Sequence, residues 1–205
     1  MVSTLPTGAF SRELAQQRID RGNWHFDARL AQELKRLIGE RSAFDFGAGI
    51  GQYCRALRCR GVDGIPGIAE LSRGLVMEGD LTDPNLELPT SEVAICLEVA
   101  EHIPRPHEST LLDHLLGSCQ QLVISWAAPG QPGTGHVNCR REEEVIALFA
   151  SRGFVVDGTE TARLRKSATV PWLKQNVLTL SRDPGQEVHR NGQGSERFAP
   201  GVMRL

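Results

Sequence analysis

Acidic side chains stand at the ends of successive apolar runs, where they could contact a ligand. The positions are Asp45, Asp63, Asp80 and Glu98. If these runs are parallel strands, their carboxyl ends share one edge of a sheet, and open α/β sheets bind ligands beyond that edge. A carboxylate at a strand end accepts hydrogen bonds, so the spacing predicts a ligand site with acceptors on its wall.

A glycine-rich turn follows the first of these runs. Residues 45–51 read D-F-G-A-G-I-G. Glycine lets the backbone adopt positive φ and approach a ligand closely, and a helix that starts after the turn offers unpaired N–H groups. The dinucleotide pattern G-x-G-x-x-G requires a third glycine where Gln52 stands, or where Cys54 stands if it begins at Gly49. The spacing D-x-G-x-G-x-G therefore differs from that of a nicotinamide dinucleotide site.

A second cluster combines carboxylates with imidazoles. Glu98, Glu101 and His102 stand at i, i+3 and i+4, so a helical turn would place them on one face. His136 follows a glycine-rich loop beyond a later apolar run and is expected at the same rim. An imidazole can act as a general base, and the four side chains together could bind a divalent metal such as Mg²⁺, Mn²⁺ or Zn²⁺.

Alternating strands and helices are predicted to position these residues. Strands are predicted at 43–46, in a run that ends at 62–63, and at 75–77, 93–97, 122–126, 154–156 and 177–180. Helices are predicted over 26–38 with Gly39 as C-cap, over 52–57, over 111–116, and from an N-cap at Asn138 to residue 149. This order predicts an α/β fold: a Rossmann-like, doubly wound, mostly parallel seven-stranded sheet with helices on both faces. The last two strands are close in sequence and could add an antiparallel edge.

The composition indicates a soluble protein of one domain. The chain has 205 residues, 40% of them apolar, and its 23 basic and 25 acidic side chains give a formal charge of −2. No apolar run approaches the roughly 20 residues of a membrane span, and no secretory signal is visible, so we expect a cytoplasmic protein without membrane contacts. The sequence contains no run of basic residues, so we do not expect broad nucleic-acid binding. It does not indicate the oligomeric state. The five cysteines form no C-x-x-C pair, which argues against a disulfide framework or a cysteine zinc site.

Four segments in order resemble the motifs of class I S-adenosylmethionine-dependent methyltransferases. They are the D-x-G-x-G-x-G turn, V-D-G at 62–64, G-D-L at 79–81 and L-E-V-A-E-H-I-P at 97–104. The last is similar to the L-E-V-x-E-H segment of small-molecule methyltransferases of this class. The resemblance covers roughly residues 23–182 and implies a methyltransferase domain there, with an N-terminal extension at 1–22 and a disordered tail at 183–205.

The resemblance implies that these segments bind S-adenosylmethionine. Asp45 would hold the ammonium group of its methionine part, and Asp63 would accept from the two ribose hydroxyls. Asp80 would accept from the adenine amino group while the backbone N–H of Leu81 faces the ring, and Glu98 would border the methionine end and the substrate. The full set implied for the cofactor is Asp45, Gly47, Ala48, Gly49, Gly51, Asp63, Gly64, Asp80, Leu81 and Glu98.

One spacing departs from the usual pattern. Only 11 residues, 52–62, separate the glycine turn from Asp63. The first helix and the second strand of the domain are therefore both predicted to be unusually short.

The methyl acceptor implied by the resemblance is a small molecule. His102, Glu98 and His136 are the candidate catalytic residues, and Trp126, Glu101 and Tyr53 are candidate substrate contacts. The acidic and histidine cluster also looks like that of methyltransferases that use a metal to hold vicinal hydroxyls, such as ubiquinone-pathway catechol O-methyltransferases and ribose methyltransferases acting on small-RNA ends. A metal is not the favoured interpretation, and its ligand set would be Glu98, Glu101, His102 and His136.

Two other functions are consistent with an α/β domain of this kind. A nicotinamide-dependent oxidoreductase is disfavoured by Gln52 and by the absence of a Ser/Tyr/Lys catalytic set, since Tyr53 is the only tyrosine. The domain could alternatively bind S-adenosylmethionine without turnover, as a sensor or an assembly partner.

Overall fold

A computed structural model describes residues 4–185, so all but the first three residues of the predicted tail lie outside it. Seven strands form one sheet in the order β3-β2-β1-β4-β5-β7-β6, and β7 runs antiparallel to both of its neighbours. This arrangement confirms the predicted Rossmann-like, mostly parallel sheet. The strands are β1 (Ala43–Phe46), β2 (Arg60–Asp63), β3 (Val76–Glu78), β4 (Val93–Cys96), β5 (Gln121–Ser125), β6 (Phe154–Val156) and β7 (Val177–Arg182).

Eight α-helices surround the sheet between residues 4 and 185. None of them is long and apolar enough to cross a lipid bilayer. Their bounds are α1 (Arg12–Asp20), α2 (Ala28–Ile38), α3 (Gln52–Leu57), α4 (Ile68–Leu71), α5 (Glu108–Ser118), α6 (Glu142–Ala150), α7 (Gly158–Ser167) and α8 (Leu173–Asn176), with a 3-10 turn at Arg105–His107 before α5.

The central strands are apolar on both faces because each face is covered by helices. In β4, Ala94 and Cys96 pack with α5 and α6, whereas Val93 and Ile95 pack with α2, α7 and α8. Successive side chains of a strand point to opposite faces, so a continuous apolar run is needed where both faces are buried. This packing holds the carboxyl ends of the parallel strands in a fixed row.

Most of the predicted elements are present, with bounds that differ from the prediction by a few residues. β3 lies one residue later than predicted, and Glu108 rather than a residue nearer Leu111 begins α5. The predicted N-cap of α6 at Asn138 is wrong, because Arg141 occupies that position and its N–H donates to Glu144. The side chain of Asn138 is buried and donates to Glu108 instead.

One buried carboxylate ties together segments that are far apart in sequence. Asp27, the N-cap of α2, accepts from the N–H of Leu30 at 3.0 Å and from the N–H groups of Thr169 and Val170 at 2.5 and 2.8 Å. Burial opposes its charge, but these three donors hold the pKa of Asp27 below its ordinary value. Asp27 therefore fixes the start of α2 against the connection between α7 and α8.

Replacing Asp27 with alanine should be much more costly than removing an ordinary helix cap. Asp27→Ala removes the buried acceptor of the N–H groups of Leu30, Thr169 and Val170, so we expect a loss of about 3 kcal/mol in the free energy of unfolding. Asp157→Ala, which removes the cap of α7 and its single bond to Glu160, should cost about 1 kcal/mol. Urea unfolding measures both, and equal losses would contradict the tying role of Asp27.

Candidate functional site

A cavity of about 280 Å³ opens at the carboxyl ends of the parallel strands. It brings together most of the residues that the sequence singles out. Those that line it are Asp45, Gly47, Ala48, Gly49, Tyr53, Asp63, Gly64, Asp80, Leu81, Glu98, His102 and His136. Gly51, Glu101 and Trp126 do not line it.

The glycine turn folds back onto the neighbouring strand. The N–H groups of Gly47 and Ala48 both donate to the carbonyl of Val62, at 2.8 and 3.0 Å. Gly47 has φ +72°, and a Cβ there would come within 2.3 Å of the Val99 side chain. Gly49 has φ +52°, and its Cβ would lie 2.5 Å from the Trp24 ring. Side chains are therefore excluded at both positions, and the backbone itself forms the cavity wall.

Gly51 has a different task from the one predicted. It precedes α3 with φ +76°, and a Cβ there would meet Leu75 and Val76 rather than the cavity. A glycine is thus required at position 51 for the turn into α3. The prediction that it contacts a cofactor does not agree with this position.

Two carboxylates stand beside the turn, Asp45 buried and Asp63 half-buried. Asp63 accepts from the N–H of Gly49 at 2.8 Å and from the N–H of Ile65 at 3.0 Å. Burial raises the pKa of Asp63 in spite of these donors. Asp45 is 3% exposed, and burial, together with the charge of Asp63, raises its pKa to about 8. A positively charged group near Asp45 would favour its ionised form, so this wall suits a cationic ligand.

Asp80 and Leu81 extend the cavity wall beyond β3. Asp80 accepts from both the N–H and the hydroxyl of Thr82, at 2.8 and 2.7 Å, which orients its carboxylate. Leu81 is buried and offers an apolar surface beside it. The pair provides an acceptor next to an apolar wall, an arrangement that can bind a flat base with an amino group.

Glu98 is held in an unusual backbone conformation at the end of β4. Its φ is +58°, in the left-handed region that costs a non-glycine residue about 1 kcal/mol or more. Its N–H donates to Ser125 at 2.8 Å, and the Ser125 hydroxyl donates back to its carboxylate at 2.8 Å. The amides of Gln131 and Asn176 also donate to the carboxylate, at 3.3 and 3.4 Å. Burial nevertheless raises the pKa of Glu98.

The left-handed turn sends Glu98 away from Glu101 and His102. The chain continues as a turn, with the N–H of His102 donating to the carbonyl of Val99, and not as a helix. The predicted common face of the three side chains is therefore wrong. Of the four residues in the predicted ligand set, Glu101, His102 and His136 place donor atoms within 4.8 Å of one another, and Glu98 does not belong to this group.

Glu101 lies beneath the two imidazoles. Its side chain is fully buried, and neither carboxylate oxygen accepts a hydrogen bond from residues 4–185. Its Oε1 lies 4.0 Å from Nε2 of His136. Burial, with the nearby charge of Glu98, raises the pKa of Glu101 well above its ordinary value.

The two imidazoles are oriented by backbone carbonyls. Nδ1 of His102 lies 3.2 Å from the carbonyl of Gly135, and Nδ1 of His136 lies 3.1 Å from the carbonyl of Gln131. Because a carbonyl only accepts, each Nδ1 carries a proton, and in a neutral ring Nε2 then keeps its lone pair. Burial, with His136 nearby, lowers the pKa of His102 to about 4, so this ring is neutral at pH 7. The rings can therefore accept a proton or bind a metal.

Trp126 and Tyr53 differ in their relation to the cavity. The indole of Trp126 is 3% exposed, packs in the core and donates to the carbonyl of Asn138 at 2.6 Å. The prediction that it shapes the acceptor pocket does not agree with this position. Tyr53 does line the cavity, and its hydroxyl accepts from the N–H of Asp27 at 3.2 Å.

Part of the cavity wall comes from residues that the sequence pattern does not single out. Residues 7–10 and Arg18 line the cavity, although the sequence places residues 1–22 ahead of the domain. Ala15 of α1 packs with Cys54, Ile65 and Ile68 in a buried cluster. The available signal was Ser11, a good N-cap residue directly before the helix-forming run of α1.

Comparisons with known proteins point to one fold. No protein-family model and no curated protein matches the sequence. Among solved structures, the 1,6-didemethyltoxoflavin-N1-methyltransferase of Burkholderia thailandensis is 18% identical and has a TM-score of 0.56, over 84% of this chain and 87% of that one. The fold is that of S-adenosylmethionine-dependent methyltransferases.

Two further solved structures have the same methyltransferase fold. The magnesium protoporphyrin IX methyltransferase of Synechocystis PCC 6803, with bound S-adenosylhomocysteine, is 17% identical with a TM-score of 0.54, over 83% of this chain and 81% of that one. A methyltransferase of Thermotoga maritima, described as a possible histamine N-methyltransferase, is 19% identical with a TM-score of 0.50, over 62% and 70% of the two chains. At these identities the likeness establishes the fold.

The raised pKa of Asp45 should make the ligand-free protein less stable as pH rises. The pKa of this carboxyl is about 8 in the folded state and about 4 in the unfolded state. Its contribution to the free energy of unfolding is therefore full below about pH 4 and is lost as the pH rises from there through about 8. Between about pH 5 and pH 7 the wild type should lose about 1.4 kcal/mol per pH unit relative to Asp45→Asn.

Urea unfolding at a series of pH values measures this difference. Asp113→Asn changes an exposed aspartate of α5 and controls for the loss of a formal charge. If the wild type and Asp45→Asn had parallel pH profiles, Asp45 would not be the titrating group.

Proposed function

We propose that the protein is an S-adenosylmethionine-dependent methyltransferase that acts on a small molecule. The observation that carries the proposal is the cavity in which Asp45, Asp63 and Asp80 stand on one wall with the backbone of the glycine turn between them. This wall lies at the carboxyl edge of a sheet with the methyltransferase fold. Bound there, the cofactor would supply a methyl group on a positively charged sulfur.

Each acidic residue has a role that its surroundings support. Asp45, whose ionised form a cation would favour, binds the ammonium group of the methionine part. Asp63 already accepts one N–H on each oxygen and retains lone pairs for the ribose hydroxyls. Asp80, oriented by Thr82, accepts from the adenine amino group, and Leu81 packs on the ring.

The acceptor end of the cavity is formed by His102, His136 and Glu98. The free Nε2 of either imidazole can take the proton of the nucleophile, while Glu98 borders the methionine end. Two proteins with this fold are named for acceptors with flat ring systems, magnesium protoporphyrin IX and 1,6-didemethyltoxoflavin. The rings of Phe10 and Trp24 line the same cavity here and support a small, flat acceptor.

Calorimetry with S-adenosylhomocysteine tests the cofactor assignment. The wild type should bind it, and Asp63→Ala should weaken binding by about tenfold or more, because the substitution removes both the ribose acceptor and the anchor of the Gly49 N–H. Asp113→Ala should bind as the wild type does. No binding of S-adenosylhomocysteine, together with NADH binding in a fluorescence titration, would favour the oxidoreductase.

A divalent metal at the acceptor end is the second candidate. The observation in its favour is the donor set itself: Glu101 has two oxygens without hydrogen-bond donors among the described residues, and both imidazoles are oriented through Nδ1 with Nε2 left free. Carbonyl-oriented imidazoles of this kind are typical metal ligands. Glu98, already bound to Ser125, Gln131 and Asn176, would not belong to this set.

Methyl transfer to a panel of small acceptors separates these alternatives. His102→Asn should lower the rate by about 100-fold or more while S-adenosylhomocysteine still binds, whereas His107→Asn, at an exposed position, should have no effect. Full activity after EDTA treatment would eliminate the metal, and loss restored by Mn²⁺ in the wild type but not in Glu101→Gln would establish it. Cofactor binding without transfer to any acceptor, unchanged in His102→Asn, would indicate a binding module.

A further inference from the structure

The cavity contains one cationic side chain that none of these roles uses. Arg18 of α1 is the only lysine or arginine among the described residues that line the cavity, whose other formally charged walls are carboxylates. Within residues 4–185 no carboxylate lies within 4.0 Å of its guanidinium. A half-buried guanidinium with no anionic partner retains unused charge and unused donors.

Arg18 is held in place at the acceptor end. Its guanidinium carbon lies 4.7 Å from the centre of the Phe10 ring, in cation–π geometry, and Nη2 donates to the hydroxyl of Thr134 at 3.3 Å. Thr134 directly precedes Gly135, whose carbonyl orients His102. The loop that positions the imidazole therefore also positions the guanidinium.

Phe10 places the cation close to the proposed base. The ring of Phe10 packs edge-on against the ring of His102, with 5.6 Å between their centres. Arg18 and His102 thus contact the same phenyl ring, and one small molecule can reach both. The guanidinium carbon and the centre of the imidazole lie 4.7 and 5.6 Å from the centre of this one ring.

The segment that carries Phe10 is itself closely fitted. A Cβ on Gly8 would lie 2.1 Å from the carbonyl oxygen of His102, so this backbone contact requires glycine. The turn is closed by bonds from the N–H of Gly8 to the carbonyl of Leu5 and from the N–H of Leu5 to the carbonyl of Ala9. This segment therefore fixes the position of the Phe10 ring, and Arg18 lies over that ring.

We propose that Arg18 binds an anionic group of the methyl acceptor, a carboxylate or a phosphate, while His102 faces the atom that is methylated. This inference rests on the proposed function and names the class of its substrate. The guanidinium offers paired N–H donors that match either anion, and neutral acceptors of the same shape gain nothing from it. Charge on the acceptor therefore selects which flat molecules bind productively.

Binding of simple aromatic anions tests the proposal without knowledge of the natural acceptor. Benzoate, phenyl phosphate and uncharged benzamide are titrated by saturation-transfer NMR into protein saturated with S-adenosylhomocysteine. At least one anion should bind the wild type, and Arg18→Met should weaken it by about tenfold or more. Arg21→Met removes a cation from an exposed position at the end of the same helix and should leave the affinity unchanged. Benzamide should bind all three proteins alike.

The outcomes distinguish this inference from its alternatives. Whichever of benzoate and phenyl phosphate binds more tightly indicates whether the anionic group of the acceptor is a carboxylate or a phosphate. The proposal would be overturned if the anions bound the wild type no more tightly than benzamide does. It would also be overturned if Arg18→Met and Arg21→Met lowered the affinity for the anions equally. A similar loss of S-adenosylhomocysteine affinity in Arg18→Met would assign the guanidinium to the carboxylate of the cofactor and would also overturn it. Failure of the wild type to bind S-adenosylhomocysteine refutes the proposed function instead, and matching urea unfolding curves exclude a folding defect.

Discussion

The close contact between the glycine turn and β2 is the constraint on which the site depends. The carbonyl of Val62 accepts two N–H groups of the turn, and Gly61 allows this approach because a Cβ there would lie 2.5 Å from the carbonyl oxygen of Asp45. The pairing of Asp45 with Gly61 places Asp63 next to the turn, where it accepts from Gly49. Without this contact the two carboxylates would not share a wall.

The same contact explains how a short connection is accommodated. The sequence predicts an unusually short first helix and second strand, and the structure has six residues in α3 and four in β2. Parallel register depends on where the strands pair and not on the length of the crossover, so Asp63 still reaches the cavity. The sheet itself could be predicted because strands that are buried on both faces leave a continuous apolar signal.

Residues whose roles depend on distant partners could not be predicted. Trp126 and Asn138 have types that suit a pocket wall and a helix cap, but the indole donates to the carbonyl of Asn138 and both residues are buried. The turn after β4 depends on Ser125, which holds Glu98 in the left-handed conformation. Phe10 and Arg18 reach the cavity through contacts more than 90 residues away in the chain, and no local periodicity reports such contacts.

The segment before α1 touches both halves of the cavity. Ala9 lies against Gly64, near the residues assigned to the ribose, and Gly8 lies against His102 at the opposite end. Any shift of this segment that accompanies one ligand changes the surface that the other ligand meets. Thermodynamic linkage then requires equal and reciprocal effects on the two affinities, so the segment provides a mechanical route for cooperativity between methyl donor and acceptor.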